Sequence, residues 1–234
     1  MKNIACLSLA MLIASFASAY GQTPQPASKY PTMAPVADYL MPAADEIALA
    51  RSAGPPSVSA RASVLVLGKQ GYYVAVTGNN GWVCLVGRSW TTDFDDPEFW
   101  NPQGRGPACL NPPAVQSVLP QYVERTTWAL AGDTREAIAK KAQAAYATHH
   151  FTDPAPDSFA LMLSKQGYLL GVDGPWLPHV MPFIAYNQVA TWAVGWDGSP
   201  IIAPTYMGPY EPIPIAIPVR RWSDGSPGPL PVPH

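Results

Sequence analysis

Apolar and polar positions follow two different periods along this chain. Val64-Leu65-Val66-Leu67 and Tyr72-Tyr73-Val74-Ala75-Val76-Thr77 are apolar, aromatic and β-branched runs on either side of Gly68-Lys69-Gln70-Gly71. Such residues suit a pleated, half-buried surface, so strands are predicted at 64–67 and 72–77. Gly78-Asn79-Asn80-Gly81 marks a second turn, Asn-Gly being the strongest short hairpin signal. A third strand follows at 82–86. Ahead of the strands, Pro42 suits the first turn of a helix. Ile47, Ala50 and Ala43 share one of its faces, and Gly54-Pro55-Pro56 ends it.

The same order returns later. Asp133 with Glu136 three positions on has the spacing of a capping box. Ile138, Ala142, Ala145 and His149 then recur at helical spacing, and 152–156 breaks the helix. Strands are predicted at 159–163, 168–172 and 176–183, with turns at Lys165-Gln166-Gly167 and Asp173-Gly174-Pro175. Between the halves, 120–131 reads as a helix closed by Gly132, with a strand over 122–131 as the competing reading. The segment 188–194 reads as a strand or a short helix.

The two hairpins match in letters as well as in order. Leu65 and Leu67, the Lys69-Gln70-Gly71-Tyr72 turn and Val76 return at constant spacing as Leu161, Leu163, Lys165-Gln166-Gly167-Tyr168 and Val172. Gly71 and Gly167 are expected to supply positive φ. The fold class implied is α+β. Two helix-plus-three-strand units, about 42–112 and 133–183, form one sheet or a partly closed barrel with the helices on one face. Structure outweighs function for the repeated Lys69 and Lys165, which are ordinary turn residues.

The flanks change this picture. Lys2, the apolar run 4–16 and Ala17-Ser18-Ala19 have the layout of a secretory signal peptide over 1–19. The run is too short for a good membrane span, and no later stretch is long enough. Residues 20–41 read as a Pro-rich flexible lead-in and 223–234 as a Pro-rich tail around a domain over 42–222. The 28 prolines mark loops and extended segments. Ile213-Pro214-Ile215-Ala216-Ile217-Pro218 is expected to lie extended on the core or along a sheet edge. The expected location is secreted or periplasmic. There Cys84 and Cys109 would pair as a disulfide, two free buried thiols being the alternative. A net charge of −2 leaves no basic footprint for nucleic acid.

Candidate chemistry is sparse. No G-x-S-x-G elbow, P-loop, H-E-x-x-H, G-x-G-x-x-G or C-x-x-C is present, and no cofactor is expected. The segment 89–113 is long and carries Asp93, Asp95, Asp96 and Glu98 among Trp90, Phe94, Phe99 and Trp100. Loops of this length are uncommon unless functional. The four carboxylates could bind a hard cation such as Ca²⁺, though not at EF-hand spacing. They could serve as acid or base, or Asp95 or Asp96 could simply start a helical turn. His179 shares a strand face with Leu177, Met181 and Phe183. It is a weak candidate for metal binding or acid–base work and a stronger one for a core histidine bonded to a carbonyl. His149 and His150 suit the C-terminus of a helix. Trp82, Trp90, Trp100 and Trp176 could stack on a flat or glycan-like ligand, or fill the core. Trp192 and Trp196 are the more loop-like pair.

Ala44-Asp45-Glu46-Ile47-Ala48-Leu49-Ala50, both Lys-Gln-Gly-Tyr turns, Asp95-Asp96-Pro97-Glu98-Phe99-Trp100-Asn101-Pro102 and Trp176-Leu177-Pro178-His179 together carry one resemblance. From about Ala44 to Phe183 the chain resembles a group of uncharacterised exported bacterial proteins of unknown function. That resemblance implies export and assigns no site residue. The expected function is binding of a small molecule or glycan-like ligand between the halves, under the 89–113 lid. Hydrolysis by Asp95, Asp96 or Glu98 with His179 is the enzymatic alternative. A structural or protein-interaction module using its extended proline segments is the third.

Overall fold

The computed structural model describes residues 28–167, 177–194, 196–203, 208 and 210–229. The signal peptide expected at 1–19, the start of the lead-in, the strand expected at 168–172, the turn after it, Trp176 and the last five residues lie outside the described residues.

Helix α1 (Ala43–Arg51) and the short α2 (Pro56–Ser59) precede β1 (Ser63–Gly68), β2 (Gly71–Val76) and β3 (Val83–Gly87). A strand that the sequence pattern did not suggest, β4 (Gly106–Leu110), divides the expected long loop. Helices α3 (Pro112–Ser117), α4 (Leu119–Leu130) and α5 (Arg135–Ala147) follow. The chain then forms β5 (Phe159–Met162), β6 (His179–Ile184), β7 (Ile213–Pro214) and β8 (Ile217–Pro218). The segment 188–194 falls mostly in a 3-10 helix, Tyr186–Trp192.

The fold is α+β. Among the described residues the strands make one mixed sheet in the order β2-β1-β3-β4-β5-β6-β7, with β8 also on β6, and it is not closed into a barrel. Only β1 and β3 pair in parallel; the other pairs are antiparallel. Helices cover both faces of this sheet, not one. Val64, Val66, Cys84, Val86 and Cys109 pack with Leu49, Ala50 and Ala53 of the α1 region. Leu65, Leu85, Ala108 and Leu110 point the other way, onto Ala114 of α3, Val118 and Tyr122 of α4. Strands buried on both faces are continuously apolar. The unbroken Val64-Leu65-Val66-Leu67 run is that signal, and all four residues are buried.

Several local expectations shift. Thr134, not Asp133, caps α5, accepting the Ala137 N–H at 3.2 Å. Asp133 instead takes Lys141. Asn111 caps α3 through the Ala114 N–H at 3.1 Å, so Pro112 and Pro113 open a helix where a loop was expected. The lead-in contributes Tyr39, fully buried, with its hydroxyl donating to the Trp100 carbonyl at 2.7 Å.

The two Lys-Gln-Gly turns differ. Gly71 sits at φ +130°, closing the β1–β2 hairpin, whereas Gly167 is not among the glycines of positive φ. Lys165 donates to Asp224 at 2.6 Å. In the first unit the third strand, β3, runs parallel to β1. In the second, β6 runs antiparallel to β5. The matching letters therefore do not share one pairing pattern.

Candidate functional site

Charged residues make up only 13% of this chain, yet among the described residues five of them are at most 6% exposed: Glu46, Arg88, Asp93, Arg125 and Glu211. Burying a charge costs several kcal/mol unless it is paired and hydrogen-bonded, so each needs an explanation.

Arg88 and Glu46 form a saturated pair. Arg88 Nη2 donates to Glu46 Oε2 at 3.0 Å, its Nε to the Tyr39 carbonyl at 2.9 Å, and its Nη1 to the Val86 carbonyl at 2.5 Å. The other Glu46 oxygen accepts the Leu67 N–H at 3.2 Å. This pair ties the lead-in, α1, β1 and β3 together. Arg105 lies close by, half-buried, and burial lowers its pKa to about 10.

The second cluster is built differently. Arg125 lies on the buried stripe of α4 with Gln121, Tyr122, Thr126 and Ala129. Its Nη1 is 3.7 Å from Glu211 Oε2, and its Nη2 donates to the Thr92 carbonyl. The guanidinium lies 4.1 Å over the Phe94 ring. Its Nε is buried with no hydrogen-bond partner among the described residues. Glu211 reaches the cluster from the segment before β7 and accepts the backbone N–H groups of Phe94 and Gly208. Asp93 comes from the loop after β3. One carboxyl, Glu211, meets the guanidinium directly, and a second, Asp93, is buried between the two residues, Thr92 and Phe94, that also touch it.

The electrostatic consequence follows from that imbalance. Burial raises the Asp93 carboxyl to about 8, and the Glu211 charge adds to the rise while Arg125 opposes it. Burial also raises Glu211 to about 7, against the pull of Arg125. Burial raises the Tyr122 hydroxyl beside them and lowers Arg125. Both carboxyls are thus held toward their protonated forms, Asp93 in part by the charge of Glu211. Such perturbed groups concentrate at functional sites.

The remaining acidic candidates are less buried than Asp93. Asp95 is exposed. Asp96 Oδ1 accepts the Glu98 N–H at 2.7 Å, which is the turn-starting role. Glu98 accepts from Asn101 Nδ2 at 2.8 Å. Among the described residues no three His, Cys, Asp or Glu side chains are grouped to hold a metal ion. The calcium expectation therefore has no ligand set here.

His179 opens β6 opposite Met162, 2% exposed, with Nδ1 at 2.8 Å from the Leu177 carbonyl. Burial lowers its pKa to about 4. The Leu177 carbonyl opposes that shift.

The tryptophans fill core positions. Trp90 is fully buried and donates Nε1–H to Thr126 Oγ1 at 2.9 Å. Trp100 stands edge-on to Phe99 at 4.7 Å and is also buried. Trp82 packs at the α1 side, edge-on to Phe159. Trp90 and Trp100 are thus buried away from any ligand, while Trp82 is only partly buried. Trp196 is 66% exposed, while Trp192 packs beside Ile184, Ile213 and Ile215.

Cys84 and Cys109 are directly opposed on β3 and β4 and bonded, with Cα atoms 4.0 Å apart. The bridge closes the loop that carries both Arg88 and Asp93. No helix among the described residues is long and apolar enough to cross a membrane.

Arg125 and Glu211 were absent from the sequence-based candidates. Each had a signal. Arg125 falls three positions after Tyr122 and four before Ala129, inside an apolar stripe. Glu211 is a lone charge in a proline-rich apolar stretch. Comparison with protein-family models, curated proteins and solved structures returned no match to this chain.

Proposed function

We propose that this is an exported binding protein whose small-molecule or glycan-like ligand engages the Asp93–Arg125–Glu211 cluster. Export rests on the charged, apolar and small-residue layout of 1–19 and on a disulfide that suits an oxidising compartment.

The observation that carries the binding reading is the surplus carboxyl. Two carboxyls and a guanidinium with an unused Nε–H offer acceptors and a donor to a hydroxyl-rich ligand, beside the rings of Phe94 and Phe99. The cleft expected between two equivalent halves is replaced by a junction of three segments: the loop after β3, helix α4 and the stretch before β7.

A thermal-shift screen with neutral and amino sugars tests this. A binder present at about a hundredfold over its Kd stabilises by about 2.7 kcal/mol. Asp93→Asn and Glu211→Gln should abolish the shift. Uniform silence across the panel, or an unchanged shift in both variants, counts against the proposal.

Acid–base hydrolysis is a second function that the same cluster favours. One protonated and one ionised carboxyl at neutral pH is the pairing such chemistry uses. The residues would be Asp93 and Glu211, in place of Asp95, Asp96, Glu98 and His179. Turnover of chromogenic glycosides that both variants eliminate would support hydrolysis over binding alone.

A further inference from the structure

The stretch that carries Glu211 is fastened in two ways. Downstream, Phe183 pairs with Pro214 and Val180 with Ile217 along β6, in two-residue strands. Ile213 and Ile215 are fully buried beside Ile184. Ile215 N–H donates to the Pro182 carbonyl at 3.0 Å and Ala216 N–H to the Ile202 carbonyl at 2.7 Å. Upstream, among the described residues, Glu211 ties the stretch to the body of the protein through Arg125 at 3.7 Å.

The charges around that tie do not balance. Asp93 is buried in the β3–β4 loop between Thr92, whose carbonyl accepts from Arg125, and Phe94, whose ring lies 4.1 Å from the same guanidinium that Glu211 meets at 3.7 Å; Asp95 and Asp96 on that loop add negative charge. Arg125 and Tyr122 face Glu211 from α4, and Tyr146 bears on Glu211 and Arg125 from α5. Arg125 is the cation that bears on both carboxyls. With both carboxyls ionised the buried site carries one unmatched negative charge, which is strongly unfavourable.

One of the two carboxyls must then leave. Asp93 sits in a loop closed by the Cys84–Cys109 bridge. Glu211 sits on a stretch held by short strands. Glu211 is therefore the carboxyl that can reach water at the lower cost.

We propose that Glu211 is a proton-held clasp: the 210–218 stretch stays docked while the cluster keeps a shared proton, and lifts from the edge of β6 when that proton passes to solvent. The clasp needs no bound ligand. Its test is run without one, so a failed ligand screen leaves the outcome readable.

Hydrogen-exchange protection factors, corrected for intrinsic exchange at each pH, provide the test in the full chain. In the wild type, protection at Ile215 and Ala216 should fall about tenfold or more between about pH 5 and about pH 8, since releasing one proton shifts an opening equilibrium by up to about tenfold per pH unit. Amides of β3 should change far less. Asp93→Asn removes the surplus carboxyl, so Ile215 and Ala216 should stay protected across the range. Glu211→Gln should flatten the profile in the same way and serves if Asp93→Asn does not fold. A flat wild-type profile overturns the clasp. A fall of equal size in the wild type and in whichever variants fold also overturns it.

Discussion

Two buried arginines in one small protein meet opposite surroundings. Arg88 has one carboxylate, and its three nitrogens donate to Glu46 and two backbone carbonyls. Arg125 faces two carboxyls, one at 3.7 Å, and keeps an unused Nε. The first arrangement spends its polar groups on holding segments together, which is what a satisfied network does. The second sets two buried carboxyls with raised pKa values against one guanidinium, the imbalance that the proposed proton would relieve. Buried charge by itself is therefore a poor sign of function. Buried charge that does not balance is a better one.

The sharpest way to break the first site is Glu46→Gln. It leaves Arg88 buried beside a neutral group and should cost about 3 to 5 kcal/mol by urea unfolding. Replacing both partners, Glu46→Leu with Arg88→Met, should cost less than the single change. A single variant within about 1 kcal/mol of wild type would deny the pair its structural role.

Removing the bridge by Cys84→Ala with Cys109→Ala should cost about 3 to 4 kcal/mol, because it frees the loop holding Arg88 and Asp93. Next comes Arg125→Met. With the cation gone, the carboxyls can stay neutral in acid but not in base. The loss should be about 2 kcal/mol near pH 8 and smaller near pH 5.

His179→Gln is the smallest perturbation, about 1 kcal/mol, and it isolates the acid side. The folded pKa of His179 is depressed from 6.5 to about 4. The unfolded chain therefore takes up a proton first, and stability falls as pH drops through that window. The variant should lose less stability in acid than the wild type, read by unfolding at stepped pH.

The same contrast shows how far the sequence could be read. The apolar runs of β1, β2 and β3 are plain in the pattern, because a strand buried on one or both faces must be apolar. Strand β4 was hidden: Gly106-Pro107-Ala108-Cys109-Leu110 is short, holds a proline and follows a loop rich in turns. Helix α3 was hidden by Pro112 and Pro113, which mark loops in general but open a helix when Asn111 caps it. Among the described residues, the two Lys-Gln-Gly turns share letters but not the backbone of their glycines. Neighbours in the sheet decide pairing, and β5 enters beside β4, antiparallel to it, whereas β1 accepts β3 in parallel.

At the site, Asp93 could be named from sequence and its partners could not. Arg125 lies far along the chain on a helix, and Glu211 arrives from the proline-rich segment. Their meeting is a product of tertiary structure. The tryptophans misled for a related reason, since composition does not separate a stacking platform from a core.

The central claim is that Asp93 and Glu211 together retain a proton that neither would hold when unfolded. Both carboxyls have raised folded pKa values, so the stability they confer is complete below about pH 4 and is lost as pH rises through about 7 to 8. The direct measurement is the unfolding free energy of wild type and Asp93→Asn, determined side by side across that range. The wild type should lose about 2 kcal/mol or more as pH rises, the variant should lose much less, and it should be the more stable of the two near pH 8. Parallel curves for the two proteins would contradict the shared proton.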